Sequence, residues 1–133
     1  MLYQKCSLQA LYIGPLGPAR KVSIDAIHYD IDDGISIPRT DHWFELDLHV
    51  RTEAVSISDP EGLSSTFMIF YTENSHIYPP SEAIANRLPG KQWHGELLIF
   101  REAVFGTRLV NLRSEDSDRV WKAVERFLDK IEL

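Results

Sequence analysis

A single cysteine, Cys6, stands among 133 residues, so no disulfide forms within the chain and the fold rests on its apolar core. No window approaches the roughly 18 consecutive apolar residues of a membrane-spanning helix. The opening stretch MLYQKCSLQALYIGPLG is broken by polar side chains where a secretory leader carries an uninterrupted apolar run. No Asn-x-Ser/Thr acceptor occurs. These absences give the expectation of a cytoplasmic protein that does not engage a membrane. Catalytic motifs are missing as well. There is no Gly-x-Ser-x-Gly elbow, no dinucleotide-binding glycine fingerprint and no phosphate-binding loop, since Gly90-Lys91-Gln92 lacks both the upstream glycine and the hydroxyl. No cofactor is expected.

Basic residues are few, 14 against 20 acids, for a formal charge of −6. Residues 1–24 hold Lys5, Arg20 and Lys21 with no acid, whereas residues 25–61 hold ten acids against Arg39 and Arg51. Phosphate backbones need clustered Lys and Arg, so nucleic acid is excluded as an expected partner.

What is present is an ordinary globular composition, 44% hydrophobic and 26% charged, without repeats or a dividing linker. One domain spanning 1–133 is expected. Turn signals recur at Gly14-Pro15-Leu16-Gly17-Pro18, Asp32-Asp33-Gly34, Asp59-Pro60-Glu61-Gly62, Pro79-Pro80 and Pro89-Gly90. Between them lie short runs rich in β-branched and aromatic residues. Strands are predicted at 2–13, 22–31, 42–51, 55–58, 67–72, 96–103 and 107–113. Strict alternation puts Phe44, Leu46, Leu48 and Val50 on one face of the third. In the first, Cys6 shares the parity of Leu8 and Ala10, which predicts an inward, inert thiol. The apolar parity of 22–31 switches near Ala26–Ile27, as a bulge or a strong bend would produce.

The period then changes. Val120, Val124, Phe127, Leu128 and Ile131 recur three and four apart, which predicts an amphipathic helix over 115–131 with Ser114 as its N-cap. A shorter helix is predicted at 81–88. The expected fold class is α+β, mainly antiparallel β: about seven strands in a bent sheet, small barrel or sandwich, closed by the C-terminal helix. In the run Leu109-Val110-Asn111-Leu112-Arg113 through Ser114 into the helix of Trp121, the order of elements resembles that of pleckstrin-homology-like barrels. The resemblance implies a bent sheet plugged by the helix and carries no function.

Two groups of residues invite a functional reading. The loop Arg87-Leu88-Pro89-Gly90-Lys91-Gln92-Trp93-His94-Gly95 gathers aromatic and cationic side chains, with Tyr78 on the same connection. Tyr78, Lys91, Trp93 and His94 are therefore the expected binding residues, with Trp93 folded back as a core cover the competing reading. Glu45, Asp47 and His49 share one face of the predicted 42–51 strand and are candidate metal ligands, each roughly 7 Å from the next, so a neighbouring strand would have to contribute, with Asp25, His28 or Asp30 available if 21–31 pairs with 42–51. Asp30-Ile31-Asp32-Asp33-Gly34 reads as a tight turn, because an EF-hand loop needs its glycine one position later and a glutamate where Asp41 stands. The expected function is a small acidic binding or interaction module without catalytic activity, taking a protein or small-molecule partner. The alternatives are a metal-dependent or acid/base enzyme using Glu45, Asp47 and His49, and a homo-oligomer joined through a sheet edge.

Overall fold

The computed structural model describes residues 3–30, 34–40, 43–44, 50–72, 77–103 and 108–131. Among them the chain forms β1 (Tyr3–Ile13), β2 (Arg20–Tyr29), β3 (Ile35–Pro38), β4 (Arg51–Ser58), β5 (Ser64–Tyr71), α1 (Glu82–Arg87), β6 (Leu97–Glu102), β7 (Leu109–Val110) and α2 (Ser117–Ile131). A short 3-10 turn at Ser114–Asp116 leads into α2. The strands form one antiparallel, curled half-barrel sheet in the order β3-β2-β1-β6-β5-β4. Two three-stranded meanders are thus joined where Leu11–Ile13 pair with Leu97–Ile99. Where β6 continues past that pairing, β7 takes its side instead, opposite Arg101 and Glu102. Leu112 N then donates to Gln9 O, fastening this segment to β1.

Alternation along the strands feeds two cores, one on each face. On one face α2 lays Val120, Ala123, Val124, Phe127 and Leu128 against Val55, Ile57, Phe67, Ile69, Tyr71, Leu97 and Ile99. On the other, Leu8, Ala10, Val22, Ile24, Ala26, Leu98 and Phe100 pack with Phe44 and Leu109. Each such side chain contributes about 1.5–3 kcal/mol by leaving water. The helix starts where Asp116 stops the chain. Its carboxylate accepts Arg113 N at 2.8 Å and stands 3.8 Å from the Arg101 guanidinium, although the side chain is almost wholly buried.

The structure departs from the sequence reading in several places. The short strand β3 is not among the predicted ones. In the predicted 42–51 strand, Trp43, Phe44 and Val50 lie outside any strand, and 45–49 are outside the described residues. Trp43 N donates to Thr40 O in a turn, which is incompatible with an extended start. The strand predicted at 55–58 begins at Arg51, and that at 67–72 begins at Ser64. No bulge interrupts β2, because the pairing with β1 runs unbroken from Tyr3↔Tyr29 to Tyr12↔Arg20. Ile27 and Tyr29 are simply apolar residues on the opposite face from Ile24 and Ala26. Cys6 does pack against the second core, half-buried. Ser81 caps α1, while Ser114 opens the 3-10 turn and leaves the capping position to Arg113.

Candidate functional site

The four residues singled out on the connection between β5 and β6 come together, and they do so by packing. Trp93 is 1% exposed, its ring 5.4 Å from that of Phe127 and 6.0 Å from that of Tyr71. Ser81 N donates to Trp93 O at 2.8 Å, which fixes the loop against the cap of α1. Tyr78 is buried, and its carbonyl accepts His94 Nδ1 at 2.9 Å. Lys91 pairs with Asp129 of α2. This arrangement closes one end of the helix-side core, and Trp93 presents no surface to a partner. Glu45, Asp47 and His49 lie outside the described residues. Among the described ones no three His, Cys, Asp or Glu side chains gather as metal ligands would.

A different set of polar groups converges at the open end of the first meander. Gln4, His28 and Ser36 occupy one row across β1, β2 and β3, since Gln4 pairs with His28 and His28 with Ser36. His28 Nδ1 lies 3.3 Å from Ser36 Oγ, and the same oxygen accepts Leu109 N at 3.3 Å. One hydroxyl therefore ties β2, β3 and β7 together. The Ser36 hydroxyl can give its proton to Nδ1 or accept one from it, and in either case it holds the imidazole by its Nδ1 side.

Gly34 completes the support. Its φ of 89° is left-handed, and a Cβ there would stand 2.8 Å from His28 Cε1 and 3.9 Å from Arg108 Cδ. Only glycine lets the chain turn this close to the imidazole.

Around His28 opens a cleft of about 430 Å³ lined by Tyr3, Gln4, His28, Asp30 and Arg108. It continues into a space of about 210 Å³ beside Cys6, Ser36 and Asn111. The electrostatics here differ from those on the helix side of the molecule. There, five cations have acidic partners: Arg87 with Asp118, Lys91 with Asp129, Arg101 with Asp116, Arg113 with Glu115 and Lys130 with Glu53. Among the described residues neither Arg108 nor Asp30 has an ion pair. The cleft thus brings a guanidinium, an imidazole and an amide beside a carboxylate acceptor.

A second opening, of about 520 Å³, is lined by Tyr12, Pro15, Leu16, Pro18, Arg20 and Tyr78 among others. Among the described residues its one charged lining group, Arg20, is already engaged, its guanidinium over the rings of Tyr12 and Trp43 at 5.4 and 5.9 Å. It has little left with which to orient a ligand.

The sequence offers His28 and Asp30 only as neighbour-strand metal ligands beside Glu45, Asp47 and His49, and it does not single out Tyr3, Gln4 and Arg108. Gln4, His28 and Arg108 lie on separate strands and a distant loop, so no local spacing signals their meeting. No protein family, curated protein or solved structure matches the chain, and its site is therefore read from its own residues.

Proposed function

We propose that the protein is a binding module without catalytic activity, and that its ligand site is the cleft around His28 and Arg108. The observation that carries this reading is the pair of opposite charges, Arg108 and Asp30, unmatched among the described residues and lining one opening whose His28 is held by Ser36 and Gly34. Such a pair suits a small polar ligand with an acidic group for Arg108 and His28, and an amine or hydroxyl for Asp30. Burial of Trp93 supports moving the site away from the β5–β6 connection. A lone thiol on a half-buried position fits a reducing compartment, and we place the module in the cytoplasm.

The test is a titration of the protein with free glutamate, serine, phosphoserine and inorganic phosphate, followed by backbone amide shifts. At least one probe is expected to move Gln4, His28 and Arg108 together in a saturable way, and Arg108→Ala should weaken it at least tenfold. If none of the four moves these amides, or if Arg108→Ala binds as wild type does, the assignment fails.

A further inference from the structure

We propose that the outer edge of β4 accepts an acidic, extended peptide segment as an additional strand, with Arg126 and Lys130 of α2 as its charge partners. This site is separate from the His28 cleft and does not depend on it.

The argument begins with where the backbone groups point. In an antiparallel pair, opposed residues alternate between those that exchange hydrogen bonds and those that face away. Asp59 N donates to Leu63 O, in register with the β4–β5 ladder, so the odd-numbered residues of β4 bond to β5. The even-numbered residues Thr52, Ala54, Ser56 and Ser58 therefore direct their N–H and C=O outward. A side-chain contact agrees, since Ser56 Oγ meets Thr66 Oγ1 at 2.9 Å across a non-bonded pair. So does α2, whose Arg126 Nη1 reaches the outward Ser56 carbonyl at 2.6 Å.

Among the described residues β4 is the terminal strand, eight residues long, with no proline or lysine in it. Its four even-numbered side chains are short and exposed, so none of them obstructs a neighbouring strand. The opposite edge of the sheet is different. Arg39 N donates to Asp25 O, which makes Ser36 and Pro38 the outward residues of β3, and Pro38 has no N–H to offer. An unblunted edge on one side of a sheet is a template for strand addition.

Charge selects the occupant. On the helix side of this edge α2 sets three cations in a row: Arg119 on Ser65 Oγ, Arg126 on the Ser56 carbonyl and Lys130 on Glu53. Glu53 is the one acid among the groups they contact, in a chain whose net charge is −6. An added strand with carboxylates on that side would take over Arg126, which in turn releases the Ser56 carbonyl to the new ladder. A second copy of this acidic chain would bring net repulsion instead.

The experiment uses a fluorescent nonapeptide alternating Glu with Thr and Val, and the same peptide with Lys in place of Glu. Wild type is expected to bind the Glu peptide at least tenfold more tightly than the Lys peptide, with affinity falling as salt rises. The amides of Thr52, Ala54 and Ser58 should become protected from hydrogen exchange. Ala54→Pro removes one outward N–H without touching the β4–β5 ladder and should lower affinity at least tenfold. The double variant Arg126→Glu, Lys130→Glu covers the case in which the proline variant does not fold, and should reverse the preference between the two peptides. Equal binding of both peptides, no binding, or sedimentation showing that β4 is covered by a second copy would overturn the proposal.

Discussion

Glu102 ends β6 opposite Leu109, and its carboxyl is held above the ordinary glutamate value because burial penalises the charged form. The sign of the resulting pH dependence follows from linkage. The native carboxyl holds its proton more tightly than the unfolded one, so this residue costs stability as pH rises from the ordinary value through the raised one. Above the raised value the native protein carries the full cost, and below the ordinary value it carries none. Glu102→Gln should therefore be more resistant to urea than wild type at pH 7, with the two converging near pH 4. Paired urea titrations at both values check this, and a gain confined to the acidic sample would contradict the assigned cause. Trp93 shows the reverse lesson at the same scale. A tryptophan between glycines, beside a lysine and a histidine, reads as a contact residue. Its burial is decided by Tyr71 and Phe127, which come from a strand and a helix remote in sequence.

The edges of the sheet are managed by particular residues in particular strands. Pro38 faces away from β2, so its missing N–H leaves Ser36 as the outward donor of β3, while Ile35 and Ile37 stand 41% and 53% exposed beside it. Pro38→Val should restore the donor next to an apolar face and produce concentration-dependent association in sedimentation velocity, whereas wild type should not associate through this edge. A variant that sediments like wild type at all concentrations would show that the proline is not what guards the strand. Elements of this kind were only partly legible in the sequence. The C-terminal helix follows from period alone, because it buries one regular stripe against the sheet, while β1, β5 and β6 follow from apolar and β-branched runs set between turn signals. β3 was missed because four residues, Ile35 to Pro38, give too little alternation and end on a proline. Trp43 and Phe44 alternate as a strand would, yet both meet the core of the second face from a turn, Phe44 buried and Trp43 packed against it. The His28 cleft was illegible for a related reason. Its row exists only once Gln4, His28 and Ser36 are in register across three strands, and Arg108 arrives from the far end of the chain.

The two cores are joined by shared strands, and that fixes how the whole molecule unfolds. Along β6, Leu97 and Ile99 belong to the core under α2, while Leu98 and Phe100 belong to the core on the opposite face. β1 divides in the same way, with Leu11 and Ile13 on one side and Leu8 and Ala10 on the other. Neither face can lose its packing without freeing strands that the other face requires, so the molecule should melt as one unit. Phe100→Ala tests this. Phe100 is fully buried, meets Phe70 edge-on at 5.3 Å between ring centres, and belongs to the core on the face opposite α2. The truncation should cost about 3–5 kcal/mol. Trp93 reports from the helix-side core and Trp43 from the other, so their indole resonances follow the two faces separately. In Phe100→Ala both signals should disappear at the same, lower temperature. If Trp43 is lost while Trp93 keeps its native shift and its original midpoint, the faces unfold independently, and the shared strands do not transmit the damage as the architecture requires.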